Sequence, residues 1–522
     1  MPPQAAAPAP DLHLECTMGD LLIRAIERGA DRTAFVSGDR SISYRAFGQS
    51  VSRFVQLFDS LGLRRGDGVA CLGGNSVEAF LVGAAGYLTG VRVTNLHPLA
   101  SLDDHAFIID DCGAAVLFFD PATHAARVDA LRDRLARARP IALGPCAFAD
   151  DAMAMAARFN ARPLQSRAQV DDLSWIIYTG GTTGRPKGVM HTHRTHLSMV
   201  MAELSEWEWP DAPVFLAITP ISHGAGGCIM PTLLRSGTVV MENGFTPARF
   251  FEIVARHRVS ATFLVPTMLY KLLDHAAGHD VDARTLQLVL YGAAPMAPAR
   301  LREALERFGP IFMQLYGQSE APNCITVLRK RDHVDASDER LSSCGMPIFT
   351  SQVALLDDQG RPVPDGETGE LCVRGPLVMR GYWQRPEETR QALRDGWLHT
   401  GDLARRDRDG YLSIVGRSKD MIISGGFNVY PAEVENVLTA HPSVSAAAVI
   451  GLDDPVWGEA VTAVVVRRPG QSVDEHELIA LVRDAKGAVS APKSVIFVDE
   501  LPVSSLGKPD KKALRQQFGG GR

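Results

Sequence analysis

Tyr178-Thr179-Gly180-Gly181-Thr182-Thr183-Gly184-Arg185-Pro186-Lys187-Gly188 is the stretch from which the rest of the chain is read. The residues before it, Leu173-Ser174-Trp175-Ile176-Ile177-Tyr178, are apolar, aromatic and partly β-branched, the composition of a buried strand. Val189 to His193 after it leads toward a helix. A strand that feeds glycines, threonines and two cations suits an anion. Glycines let backbone N–H groups converge, and threonine and lysine add donors without bulk. Lys187 is followed by Gly188 rather than by Ser or Thr, which excludes a Walker A loop. By residue type alone, a phosphate cradle and a flexible surface turn both remain open.

The 522-residue chain is too long for one compact core, and roughly three domain-sized units are expected. A composition 46% apolar and 22% charged is that of a globular protein. The net charge of -6 argues against a nucleic-acid partner held by bulk electrostatics. Eight cysteines, at 16, 71, 112, 146, 228, 324, 344 and 372, form no C-x-x-C pair, which favours reduced thiols over disulfides or a zinc site. Met1 to Pro10 lacks the basic flank and apolar core of a signal peptide, and residues 1–16 are expected to be a disordered tail. Val77 to Val91, the most apolar helical stretch, is too short to span a bilayer. The chain ends in Gly519-Gly520-Gly521-Arg522, with no peroxisomal tripeptide, so a cytoplasmic protein is expected.

Strand-like and helical segments alternate from Thr17 to about Cys344, the pattern of an α/β domain whose mostly parallel sheets are covered by helices. Strands are expected at 68–72, 214–218, 261–265, 286–291 and 311–316, and ligands in such sheets sit beyond the strands' carboxyl ends. From about Ser351 short strands and turns suit a small β-rich subdomain. The last hundred or so residues read as a self-contained α+β unit. The expected division is 17–416 for the large domain and 421–522 for the small one.

Several short segments carry chemistry. Leu315-Tyr316-Gly317-Gln318-Ser319-Glu320 follows a strand, and by itself Glu320 reads as a charge at a helix N-terminus. Asp402 in Thr400-Gly401-Asp402 reads as a turn residue, and Lys508 in Leu506-Gly507-Lys508 as a solvated loop lysine. His191, His193 and His196 share no helical face with a carboxylate, which argues against a metal site. His223, in Pro220-Ile221-Ser222-His223-Gly224, reads alone as an ordinary polar residue.

In their order from Tyr178 to Lys508 these segments resemble the signatures of the adenylate-forming enzymes: acyl- and aryl-CoA synthetases, firefly-type luciferases and peptide-synthetase adenylation domains. The resemblance implies an ATP site in which Thr179, Gly180, Gly181, Thr182, Thr183, Gly184 and Lys187 hold phosphates. Thr183 is also placed among the catalytic groups. Ala293, Ala294 and Pro295 would wall the adenine, with Leu315, Tyr316, Gly317, Gln318 and Ser319 around the nucleotide and Ile414 among its contacts. Asp402 would accept both ribose hydroxyls, aided by Arg417, and Glu320 would hold Mg2+. Residues 417–420, with Lys419, match a hinge for a mobile cap. Ser424, Gly425 and Gly426 match a loop that lines the tunnel for coenzyme A. Lys508 matches the catalytic cation, and His223 the mouth of the acyl pocket. Two positions depart from the usual pattern: Gly180 where serine is commoner, which removes a hydroxyl, and Ser319 in place of threonine.

The activity so implied is ATP-dependent activation of a carboxylic acid, followed by transfer to coenzyme A. The alternatives are transfer to a carrier protein and a non-enzymatic nucleotide-binding regulator. Small residues at 224–227 and 292 and the absence of a cation there favour an aryl or medium-chain, uncharged acid. Partners are the acid and coenzyme A, without nucleic acid or membrane span, in a monomer or homodimer.

Overall fold

The computed structural model describes residues 15–179, 185–425, 427–503 and 509–519. The expectations at Gly180, Gly181, Thr182, Thr183, Gly184, Gly426 and Lys508 lie outside these residues, as does the side chain of Lys419. Described contacts start inside the segment expected to be a tail, where Glu15 ion-pairs with Arg194 at 2.9 Å.

Two large sheets form the body. The first has nine strands, in the order Met346–Pro347, Ala321–Leu328, Phe312–Gln318, Leu288–Gly292, Ala261–Leu264, Val214–Ala217, Thr238–Met241, Thr33–Ser37 and Arg40–Ser43. Its middle is parallel and its ends are antiparallel. The second has eight strands: Gly381–Tyr382, Lys187–Thr192, Leu173–Thr179, Arg92–Asn95, Gly68–Leu72, Ala114–Phe119, Arg139–Ala142 and Asp150–Asp151. The central strands Gly68–Leu72, Ala261–Leu264 and Leu288–Gly292 are buried at every residue. Parallel strands with both faces covered are continuous apolar runs for that reason.

The two sheets share a core through helices Val77–Thr89 and Gly224–Leu234, which are apolar nearly all round. In the first sheet Gly292 lies opposite Leu315, so the loops after the parallel strands Leu288–Gly292 and Phe312–Gln318 leave the same carboxyl edge.

A third sheet holds Gln352–Leu356, Gly369–Arg374, Leu393–Arg394 and Trp397–Arg406, with Leu412–Arg417 against the last of these. A fourth, from Ile422–Ser424 to Ser494–Val498, has its own apolar core of residues from Ile422 onward. Between them lies a single short helical turn, Ser418–Asp420. Helix Lys511–Phe518 packs Leu514 against this last core; its few apolar residues gave little sign of it.

Candidate active site

The glycine-rich stretch joins two antiparallel strands. Lys187–Thr192 is itself a strand, with Thr179 opposite Lys187 and Tyr178 opposite Gly188, and the helix starts only at His193. A strand, not a helix, therefore follows the stretch from Lys187. A side chain at Gly188 would stand 2.7 Å from Ile176 and 2.9 Å from Tyr178, so glycine here is a packing requirement. The Lys187 ammonium lies over the Tyr382 ring, 5.3 Å from its centre.

The Tyr316 segment forms a second hairpin. Phe312–Gln318 turns through Ser319 and Glu320 into Ala321–Leu328, with a bulge between Tyr316 and Gln318. No helix starts at Glu320, which overturns the reading of it as a helix-end charge. Glu320 instead accepts a hydrogen bond from the Tyr382 hydroxyl at 2.7 Å. Burial, then the Glu320 carboxylate, raises the Tyr382 phenol above its ordinary value. Tyr382 therefore touches both the lysine of the first hairpin and the carboxylate of the second. Gly381-Tyr382 gave no separate signal in the sequence, because its role comes from pairing with Met190 and Val189 across the sheet.

His191 fixes the turn from below: its Nε2 lies 2.8 Å from the Ser319 carbonyl. Burial holds this imidazole down to about 4, so the ring is neutral and donates through Nε2–H. The other two histidines are equally structural. His193 Nδ1 accepts from the Met18 N–H at 3.3 Å, and His196 stacks on Trp175 with ring centres 4.3 Å apart. None of the three belongs to a group of metal-ligand atoms among the described residues.

Asp402 sits within strand Trp397–Arg406, not in a free turn, and is 5% exposed. Its Oδ2 accepts from the Tyr316 hydroxyl at 2.7 Å and its Oδ1 from Arg417 Nε at 2.9 Å. The Asp402 charge, working against burial, raises the Arg417 guanidinium. Each carboxylate oxygen keeps a second lone pair, so a vicinal diol can still be bound. The strand is shaped by neighbours that the sequence left unmarked. Glu370 Oε1 accepts from the Gly401 N–H at 2.9 Å, and its Oε2 lies 2.7 Å from His399 Nδ1. Gly401 takes φ +72, a left-handed bend that suits glycine. Cys372 Sγ is 3.3 Å from the same His399 nitrogen. These three offer ligand atoms within 4.8 Å of one another, yet their hydrogen bonds already serve to brace the bend before Asp402.

Leu288–Gly292 ends against Phe312–Gln318, with Gly292 opposite Leu315. A side chain at Gly292 would come within 2.4 Å of the Leu315 carbonyl, and Ala293 follows at φ +67. Ala293, Ala294 and Pro295 therefore leave the same sheet edge as Tyr316, which lets small residues wall a flat ring. Ile414 and Arg417 share strand Leu412–Arg417, where Ala404 pairs with Ile414 and Asp402 with Arg417.

His223 stands at the N-cap position of helix Gly224–Leu234, its side chain making no capping bond, and meets His97 edge-to-face, ring centres 4.7 Å apart. Burial, then the facing His97, takes His223 down to about 3, and burial with His105 takes His97 to about 4. Both rings are neutral near pH 7. His97, which follows strand Arg92–Asn95, is a neighbour of His223 that the sequence did not disclose.

Ser424 and Gly425 begin a hairpin in the fourth sheet. Gly425 has φ +60, and its N–H donates to the Trp457 carbonyl at 2.7 Å. Next to it Ile423, Phe427, Val456 and Trp457 are exposed.

Comparison with known proteins identifies the family. Residues 22–383 match the family described as AMP-binding enzyme, and residues 433–508 match the AMP-binding enzyme C-terminal domain. The chain is 45% identical to the medium/long-chain-fatty-acid–CoA ligase FadD8 of Mycobacterium tuberculosis, over 97% of this chain and 91% of that protein. It is 40% identical to a feruloyl-CoA synthase of Amycolatopsis sp, over 96% and 99%. Among solved structures, the amide bond synthetase McbA from Marinactinospora thermotolerans superposes with a TM-score of 0.88 at 36% identity, over 95% of this chain and 99% of that one. The chain belongs to the AMP-binding enzyme family, and so to the adenylate-forming enzymes that the order of its motifs resembles.

Proposed function

We propose that the protein is an ATP-dependent carboxylic acid–CoA ligase whose substrate is an uncharged aryl or medium-chain acid. The observation that carries the reading is the Asp402 carboxylate held between Tyr316 and Arg417 at the strand edge. The buried carboxylate keeps a free lone pair on each oxygen, which suits the two hydroxyls of a sugar diol. The names of the relatives, one a fatty-acid ligase and one a feruloyl ligase, favour the two acyl classes.

In the first step a substrate carboxylate oxygen attacks the α-phosphorus of ATP. A new P–O bond forms as the bond to the β-phosphate breaks, and pyrophosphate leaves. Lys187 and the backbone of the glycine-rich hairpin neutralise phosphate charge, and Lys508 reaches the reacting centre. Glu320 would hold a divalent cation. The carboxylate uses Oε1 for Tyr382 and keeps its other oxygen, and Mg2+ takes few protein carboxylates besides phosphate oxygens. Bound there, Mg2+ supplies charge neutralisation to the polyphosphate.

In the second step the thiol of coenzyme A attacks the acyl carbon. A C–S bond forms, the C–O bond to AMP breaks, and the thiol proton passes to solvent. Lys508 has no task in this step. The last sheet turns about residues 417–420, so that Gly425 and Gly426 replace Lys508 over the site. The exposed Ile423, Phe427 and Trp457 beside Gly425 support that reading, since they suit a surface that is covered in a second arrangement.

An amine in place of the thiol is the second reading, favoured by the likeness to an amide bond synthetase. The test is a panel of aromatic and linear acids assayed for pyrophosphate and AMP, with ATP and Mg2+, with coenzyme A, with an amine, or with neither. Pyrophosphate release that depends on an acid, and thioester that accumulates only with coenzyme A, is the expected result. No acid-dependent pyrophosphate sinks the proposal.

A further inference from the structure

Helix Leu102–Asp111 finishes on two carboxylates, at the end where its dipole disfavours negative charge. No basic residue in its last turn offsets them. Asp110 is exposed and accepts from the Ala136 N–H at 3.1 Å. Asp111 turns inward: its side chain is 11% exposed, and its partners lie far along the chain.

The Asp111 Oδ2 accepts from the Tyr178 hydroxyl at 2.6 Å, and its Oδ1 from Arg385 Nη2 at 3.2 Å. Its backbone carbonyl accepts from Trp383 Nε1 at 2.8 Å. These partners flank the glycine-rich stretch. Tyr178 belongs to the strand that enters it and lies opposite Gly188 on the strand that leaves. The Trp383 N–H donates to the Gly188 carbonyl at 2.7 Å, and Tyr382 beside it donates to Glu320. One turn before Asp111, on the same helix face, the Phe107 ring lies 5.2 Å below the Arg185 guanidinium. One helix face thus supports Tyr178 before the stretch and Arg185 near its end. Burial, then the hydrogen bond to Asp111, raises the Tyr178 phenol far above its ordinary value, so it remains a donor. An apolar side chain would pack at this helix end at lower cost, so the charge is explained by what it ties together.

We infer that Asp111 is a positioning residue for the glycine-rich stretch: it ties Tyr178, at the entrance, to residues 382–385, which hold the exit, and so fixes how the polyphosphate of ATP is received. The inference rests on the ligase reading and deepens it. Asp111 touches no reacting atom and acts through Tyr178 and the 382–385 segment.

The test compares wild type with Asp111→Ala, Asp111→Asn, Tyr178→Phe and the double variant Asp111→Ala with Tyr178→Phe, each well below its Tm. Dissociation constants for Mg2+-ATP and for AMP come from titration calorimetry. Beside them stand KM and kcat for pyrophosphate release and the rate of thioester formation from a supplied acyl adenylate. Asp111→Ala should weaken ATP by about tenfold, the loss of charge-assisted hydrogen bonds, with AMP and thioester formation within about twofold of wild type. Asp111→Asn should recover part of the loss, because its oxygen can face Arg385 while its amide donates to the Tyr178 oxygen. Tyr178→Phe should weaken ATP by about threefold and add little to Asp111→Ala, since the two form one link. Equal weakening of ATP and AMP, or equal losses in both half-reactions, would make Asp111 merely structural and overturn the inference. An unchanged affinity for ATP would do the same while the ligase reading stands. If wild type binds neither nucleotide, the ligase reading falls and takes the inference with it.

Discussion

The hairpins that carry Tyr316, Glu320 and Asp402 and the hairpin around Gly425 are built in opposite ways. In the first region each polar group already has a protein partner: Asp402 has Tyr316 and Arg417, Glu320 has Tyr382, and the Ser319 carbonyl has His191. Asp402 is 5% exposed. Around Gly425 apolar side chains face outward, and Phe427 is 62% exposed. A site whose groups are oriented during folding binds without ordering cost at the moment of use. An apolar surface left open is at its most stable only when something covers it. The contrast fits a body that holds nucleotide in one fixed geometry and a cap whose loop is used in passing.

The largest expected effect breaks the body side of this contrast. Asp402→Ala removes the diol acceptor and strands Arg417, and kcat/KM for ATP in pyrophosphate release should fall on the order of a hundredfold. Asp402→Asn should recover part of that, because the amide oxygen can still accept from one partner. On the cap side, Phe427→Ala and Trp457→Ala should leave adenylate formation within about twofold and slow thioester formation by about tenfold, the loss of one well-covered aromatic contact. Equal losses in both half-reactions would show that the cap's apolar face is merely structural.

A third test uses pH. His97 and His191 are held to about 4 and His223 to about 3, against 6.5 in the unfolded chain. As pH falls below 6.5 the unfolded chain takes up protons that the folded body refuses. Stability is therefore full above 6.5 and is lost progressively down to about 4, by about 1.4 kcal/mol per pH unit for each ring that stays neutral. All three rings lie in the body, so a drop in its unfolding temperature across this window, with proton uptake on unfolding, is expected. A flat profile would mean that the rings titrate normally. The smallest effect belongs to Ser319→Thr: the hydroxyl is kept and one methyl is added, so kcat/KM should change by less than about threefold.

Most of the framework was readable along the chain. Gly68–Leu72 and Ala261–Leu264 follow from short runs of apolar and β-branched residues, and the Tyr316 and Ala293 segments were both read as following strands of one sheet. What escaped was set by pairing between distant residues. His191 and Ser319 are 128 positions apart, and Tyr382 meets Glu320 across 62. Lys187–Thr192 is strand because Leu173–Thr179 and Gly381–Tyr382 flank it, although its own short, histidine-bearing sequence carries little β signal. Asp402 was read as a turn residue from its glycine neighbour; the glycine instead makes a local bend inside a long strand, braced by Glu370.

The central claim, that one lysine serves activation and is absent from transfer, is tested most directly by Lys508→Ala assayed in both half-reactions separately. Pyrophosphate release should fall by about a hundredfold or more, while conversion of a supplied acyl adenylate and coenzyme A to thioester stays within a few-fold of wild type. Equal loss in the two would contradict the account.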